Sequence, residues 1–237
     1  MKIMIATPTQ NSMCTINYTA SMINLFKEAA KYDDFELEFL YGTNEALVTH
    51  ARNLCVNLFL KSDATHLLFI DSDIQFHPSQ IIQMIRTKSD FVCGIYPKKK
   101  IDWEKVRVAA LHGVQAQLLQ SHSNEYLVVP SANTEPLENG LVEIDRAATG
   151  MMLISKTVFE TLKDKVNAFN LVAPVQSNIQ YGQDEKYYEF FYSQIEPETN
   201  LFLNEDFSFC KLWIDNGGKI YGAPWVKLFH VGNHVYG

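Results

Sequence analysis

Apolar and polar positions alternate in blocks along the first hundred residues. Lys2 to Ala6 is a short apolar run that enters the polar loop Thr7-Pro8-Thr9-Gln10-Asn11. From about Ile16 to Lys31, residues Tyr18, Met22, Leu25, Phe26 and Ala29 fall near helical spacing. Phe35 to Tyr41 alternates as a second strand would, Gly42-Thr43-Asn44 reads as a turn, and Glu45 to Leu60 carries a buried helical stripe through Leu47, Ala51, Leu54 and Leu58. A third strand, through Leu67-Leu68-Phe69-Ile70, is apolar without alternation, which predicts burial on both faces. Pro78 opens the next helix, where its missing N–H is harmless, and Phe91 to Ile95 is a fourth strand. This order of strand and helix predicts a parallel sheet with right-handed crossovers.

The second half is less regular. Val106 to Leu111, Val114 to Leu119, Tyr126 to Val129 and Leu141 to Ile144 read as short strands, with a turn-rich loop from Asn133 to Asn139. Ser155 is placed to cap a helix over Lys156 to Leu162. About Ala173 to Glu198 has no clear period and reads as a long loop or lid, with one strand near Tyr187 to Tyr192. Asn204-Glu205-Asp206 then opens a helix that Gly217-Gly218 ends, Lys219 to Tyr221 returns as a strand, and the apolar run Val226 to Phe229 delivers His230.

Chemistry enters at Asp71-Ser72-Asp73, two carboxylates that follow directly on the third strand. Ligands of open α/β sheets bind beyond such strand ends. Two hard oxygen donors there, with few basic residues nearby in sequence, suit Mg²⁺ or Mn²⁺, although an aspartate at a strand end also serves as a plain turn or cap residue. No G-x-G-x-x-G follows the first strand, which disfavours an ordinary dinucleotide site.

Composition narrows the classes. With 237 residues, 47% hydrophobic and 12% aromatic, the chain is globular and large enough for a substantial core. A formal charge of −7 argues against a surface built for nucleic acid, and Lys98-Lys99-Lys100 reads as a solvated loop. Cys14, Cys55, Cys93 and Cys210 form no C-x-x-C pair, which excludes the usual structural zinc and fits reduced, mostly buried thiols. The N-terminus does not look like a signal peptide, and no apolar run reaches the roughly 20 residues of a membrane span. A cytosolic location is expected, in the host cytosol if the source is a virus.

Taken in order, Ile3-Met4-Ile5-Ala6-Thr7-Pro8-Thr9, Asp71-Ser72-Asp73, Thr149-Gly150-Met151-Met152-Leu153-Ile154, Asn204-Glu205-Asp206 and His230 resemble the GT-A fold family of nucleotide-sugar glycosyltransferases. The resemblance spans nearly the whole chain, and the chain is similar in particular to small single-domain transferases of viral and bacterial origin. It implies one α/β domain over residues 1–237, Rossmann-like, with a mostly parallel central sheet flanked by helices and a smaller antiparallel C-terminal portion. Residues up to about 100 would bind the nucleotide, and the remainder the acceptor. It further implies transfer of a sugar from a nucleoside diphosphate donor, UDP favoured, to an acceptor hydroxyl with the aid of Mn²⁺ or Mg²⁺. Asp73 would bind the cation, Asp71 would contact the ribose or reach the cation through water, and His230 would complete the metal shell. Thr7, Pro8, Thr9, Ser72 and Gly150 would line the donor. Arg52 would order the carboxylates, meet phosphate, or form a surface salt bridge. In inverting relatives an acid takes the acceptor proton; Asp206 matches that position, with Glu205 second.

The sequence leaves other readings open: a retaining GT-A transferase, a nucleotidyltransferase, or a non-catalytic glycan-binding module. A haloacid-dehalogenase-type phosphatase also uses Asp-x-Asp, but Gln75 stands where that family carries Thr or Val. The acceptor stays open among glycan, lipid-linked sugar, protein and modified nucleobase.

Overall fold

The computed structural model describes residues 1–9, 12–44, 47–132, 135–171 and 185–237. Strands β1 (Lys2–Thr9), β2 (Glu36–Asn44) and β3 (His66–Ile70) alternate with helices α1 (Ile16–Ala29) and α2 (Val48–Lys61). There follow β4 (Ile74–Gln75), α3 (Pro78–Arg86), β5 (Phe91–Gly94), α4 (Trp103–Leu111), α5 (Leu119–His122), β6 (Val128–Pro130), β7 (Val142–Ala147) and β8 (Met151–Ser155). The chain closes with α6 (Lys156–Leu162), β9 (Asn167–Asn170), β10 (Lys186–Glu189), β11 (Gln194–Glu196), β12 (Leu201–Leu203), α7 (Glu205–Asp215), β13 (Ile220–Ala223), β14 (Phe229–Val231) and β15 (Val235–Tyr236).

An eight-stranded sheet in the order β2-β1-β3-β8-β5-β13-β7-β6 organises the molecule. The burial pattern of its central strands follows from their composition. In β1, Met4 and Ala6 face one apolar cluster while Ile3 and Ile5 face the other, and β3 divides Leu67 and Phe69 from Leu68 and Ile70 in the same way. A strand buried on both faces must be apolar at every position, as these are. Helix α2 covers one face with Leu54 and Leu58, joined by Val158 and Phe159 of α6 and Phe209 of α7. Helices α1 and α3 cover the other through Met22, Leu25, Ile81, Ile82 and Ile85. The α/β class with helices on both faces of a central sheet is as expected.

The sheet is mixed rather than mostly parallel. Of its seven pairings, β1 with β2, β1 with β3 and β5 with β13 are parallel, and the other four are antiparallel. Antiparallel pairing therefore lies at the centre as well as towards the C-terminal end. The cause is β8, whose apolar run Met151-Met152-Leu153-Ile154 inserts between β3 and β5 and is antiparallel to both. Since β8 opposes both neighbours, β3 and β5 run the same way and end at the same edge.

Local chemistry explains the other departures. Val106 to Leu111 belongs to helix α4, because Asp102 caps it by accepting the Glu104 and Lys105 N–H groups, both at 3.1 Å. Val114 to Leu119 spans two irregular residues, a short 3₁₀ segment and the start of α5 rather than a strand. Strand β2 runs through Gly42-Thr43-Asn44, where a turn is expected, by pairing Asn44 with Thr9. Val226 to Leu228 precedes β14, so His230 lies within that strand, opposite Ile74 of β4. Much of the expected loop from Ala173 to Glu198 lies outside the described residues; β10 covers Lys186–Glu189 and β11 covers Gln194–Glu196. Gly217, at φ +84°, supplies the left-handed residue that stops α7. Cys55, Cys93 and Cys210 are buried free thiols and Cys14 is exposed. Among the described residues no helix is long and apolar enough to cross a membrane.

Candidate functional site

The site lies beyond the end of β3, and register sets its layout. Ile70 pairs with Met151, so Gly150 stands beside Asp71 and its carbonyl accepts the Asp71 N–H at 3.0 Å. Strand β5 pairs Cys93 with Met152, which brings Tyr96 onto the same spot. The Tyr96 hydroxyl accepts the Gly150 N–H at 3.0 Å. A Cβ on residue 150 would lie 2.4 Å from the Tyr96 ring, so only glycine admits this approach.

Arg52 is buried on α2 at the centre of the group, not on the surface. Its Nη1 donates to Glu205 Oε1 at 2.6 Å and to Thr149 Oγ1 at 2.9 Å, and its Nη2 lies 3.6 Å from Asp71 Oδ1. The Arg52 Nε is buried and has no hydrogen-bond partner among the described residues. Burial raises the Asp71 carboxyl above its ordinary value, against the opposing pull of Arg52.

Asp73 meets two basic groups. His230 Nε2 lies 3.4 Å from its Oδ1, and the Lys99 ammonium is hydrogen-bonded to its Oδ2. Burial alone would raise the Asp73 carboxyl, but the neighbouring His230 and Lys99 outweigh it and keep the group below its ordinary value. The other ring nitrogen of His230 lies 3.0 Å from the Pro97 carbonyl. A carbonyl can only accept, so Nδ1 carries the proton and Nε2 faces the carboxylate. The Tyr96 ring meets the imidazole edge to face, with centroids 5.2 Å apart.

Glu205 and Asp206 open α7, where the helix dipole favours negative charge. They diverge there. Glu205 is engaged by Arg52, whereas Asp206 is only 6% exposed and accepts the backbone N–H of Phe207 at 2.8 Å. Burial pushes the Asp206 carboxyl up to about 6, Arg52 pulling it down and Glu205 adding to the rise. The remaining expected residues lie at the rim or in support. Thr7 is buried with its hydroxyl 2.5 Å from that of Tyr18, and Pro8 and Thr9 are half-buried at the end of β1. The Ser72 carbonyl accepts the Thr15 N–H at 2.9 Å, which ties the aspartate turn to the start of α1.

Basic residues are thus present although few lie nearby in sequence: Arg52 and Lys99 arrive from other elements. Tyr96, Pro97, Lys99 and Thr149 are further residues of the site. The position of Tyr96 to Lys99 just past a buried strand was the available signal, because ligand-facing loops of such sheets follow strand ends. Among the described residues, no three His, Cys, Asp or Glu side chains converge as a cage for a metal.

The fold is similar to that of A197 from STIV, with a TM-score of 0.51 at 15% identity over 98% of this chain and 86% of that one. The inositol-1-phosphate CTP transferase from T. maritima gives a TM-score of 0.44 at 8% identity, covering 98% of this chain and 89% of that one. A putative glucose-1-phosphate thymidylyltransferase from Bacillus anthracis gives 0.36 at 12%, covering 69% and 74%. At these identities the likeness concerns the fold alone. No protein-family model and no curated protein sequence matches the chain.

Proposed function

We propose that this protein transfers a sugar from a nucleoside diphosphate donor, UDP favoured, to an acceptor hydroxyl, with inversion at the sugar carbon. The observation that carries the reading is the meeting of two acidic groups from distant parts of the sequence: Arg52 lies against both Asp71 and Glu205, with Asp206 adjacent in sequence to the latter. Asp206 is the base. A carboxyl near 6 retains the proton it accepts better than an ordinary carboxylate, and at neutral pH it is still ionised. Glu205, neutralised by Arg52, supports that arrangement instead of sharing the role. Thr7, Pro8, Thr9, Ser72 and Gly150 border the donor, and Asp71 faces its ribose or the hydrated side of the cation.

Asp73 and His230 fit a divalent cation as a two-ligand corner, because His230 presents Nε2 with its Nδ1 held by a carbonyl. Mg²⁺ and Mn²⁺ sites are commonly completed by substrate phosphates and water. When bound, such a cation would offset the negative charge that leaves with the diphosphate. The acceptor is a hydroxyl of a glycan, lipid-linked sugar, protein or modified nucleobase.

The test is incubation with Mn²⁺ and a panel of nucleotide sugars, measuring nucleoside diphosphate release and the anomeric configuration of the product. Release of UDP or another diphosphate supports the reading, with Asp73→Asn losing both nucleotide binding and turnover and Asp206→Asn losing turnover alone. Release of pyrophosphate from a nucleoside triphosphate and a sugar phosphate would mean nucleotidyl transfer instead. A retained configuration would remove Asp206 from its assigned role.

A further inference from the structure

The segment after β5 delivers three groups to the site in four residues. Tyr96 reaches Gly150, the Pro97 carbonyl meets the His230 ring, and the Lys99 ammonium lies on Asp73. The neighbouring lysines turn away. Lys98 pairs with Glu125 at 2.5 Å, and Lys100 lies 3.8 Å from the same carboxylate. The backbone enforces this division, since the Lys98 N–H donates to the Glu125 carbonyl at 2.8 Å while Pro97 faces His230. Residue 99 therefore leaves the chain beside Asp73. Its stem passes over Gly232, where a Cβ would come within 3.2 Å of the Lys99 Cδ.

This ion pair is built to be exchanged. The Lys99 and Asp73 side chains are 38% and 27% exposed, so water screens them and the pair contributes little to the fold. Lysine is a compact charge on a flexible stem, suited to following a mobile anion. Asp73 is also the carboxylate assigned above to the cation; with Lys99 on its Oδ2 and His230 against its Oδ1, a divalent cation entering beside Oδ1 meets like-charge repulsion from the ammonium, which an anion lying between them relieves. A diphosphate is such an anion.

We propose that Lys99 is a displaceable counter-ion: it neutralises Asp73 in the absence of donor and passes to a diphosphate oxygen when the donor binds. The inference rests on the diphosphate reading of the site. It makes Lys99 both a competitor of the cation in the absence of nucleotide and a ligand of the donor in its presence. A lysine that merely anchored the loop would be neither.

Calorimetric titration of the full chain with Mn²⁺ alone, and with UDP at saturating Mn²⁺, separates these roles in Lys99→Met and Lys99→Arg. Methionine keeps most of the stem and removes the charge, while arginine keeps the charge. The methionine variant is expected to bind Mn²⁺ several-fold more tightly than wild type and UDP about tenfold more weakly. The arginine variant is expected to stay near wild type in both. Unchanged Mn²⁺ affinity in Lys99→Met overturns the competition, and undiminished UDP affinity overturns the transfer to diphosphate. A melting temperature equal to wild type excludes a folding effect in the variant. Failure of the wild-type protein itself to bind UDP is a different result: it removes the diphosphate reading, and this proposal with it.

Discussion

Arg52 and Glu205 stand 153 positions apart in sequence and meet at 2.6 Å, with side-chain exposures of only 6% and 12%. An ion pair this buried is poor evidence of net stability, but loss of one partner leaves the other charge without compensation. Arg52→Met strands Glu205 and also removes the opposing charge from Asp71 and Asp206. The expected loss is about 3–5 kcal/mol in chemical denaturation. Glu205→Gln should cost less, because an amide oxygen still accepts from Arg52.

Helix α2 carries a second polar device. The Asn53 amide donates to the Phe191 carbonyl at 2.7 Å and accepts the Phe191 N–H at 2.8 Å, and Asn57 repeats the pattern with Tyr188 at 2.8 and 2.9 Å. Two asparagines one helical turn apart thus satisfy the backbone as a neighbouring strand would. Asn53→Ala is expected to leave both Phe191 groups unpaired and to cost about 2–4 kcal/mol, with faster hydrogen exchange at the Phe191 amide.

The asparagines show which information the sequence withheld. Strands β1, β3 and β5 were legible because burial on both faces leaves an unbroken apolar run, helices α1 and α2 because their apolar positions recur with the helical period, and α3 because Pro78 marks its start. The same run in Met151-Met152-Leu153-Ile154 predicts burial, but its direction between β3 and β5 is a matter of pairing that no local pattern encodes. Asp71, Asp73, Asp206 and His230 stand out in the sequence as candidates, because each follows an apolar run or opens a helix. Asn53 and Asn57 instead look like the polar face of an amphipathic helix, and spacing alone leaves Arg52 open between ordering the carboxylates, meeting phosphate and a surface salt bridge. Their partners lie on distant segments, and burial there depends on contacts that sequence spacing does not reveal. Lys99 was hidden for another reason: a run of three lysines gives no sign that one of them turns inward.

Gly150 offers a steric test of the contact behind Asp71. Gly150→Ala drives a methyl group into the Tyr96 ring and is expected to cost about 1–3 kcal/mol. If the clash is the cause, the same substitution in a Tyr96→Ala background should cost clearly less, a coupling of about 1 kcal/mol or more in a double-mutant cycle. Additive effects would place the strain elsewhere.

The Asp206 carboxyl gives a prediction whose sign depends on pH. Its value in the folded protein is raised from 3.8 to about 6, so the fold favours the protonated form. Below about pH 4 the group is protonated whether the chain is folded or not, and it imposes no penalty. Between about pH 4 and 6 the unfolded chain releases this proton while the folded state holds it, so stability is lost across that window and levels off once the folded group has ionised above about 6. A shift of this size corresponds to about 3 kcal/mol. Asp206→Asn removes the ionisation while keeping an acceptor for the Phe207 N–H. Urea denaturation should therefore find the variant more stable than wild type at pH 8, by up to that amount, with the advantage fading to nothing as pH falls to 4. An asparagine variant that is less stable than wild type at pH 8 would mean that the ionised carboxylate is compensated in place, for example by Arg52, and is not the strained acid that its burial implies. Loss of sugar transfer together with gained stability at pH 8 would tie the same buried carboxyl to both penalty and function.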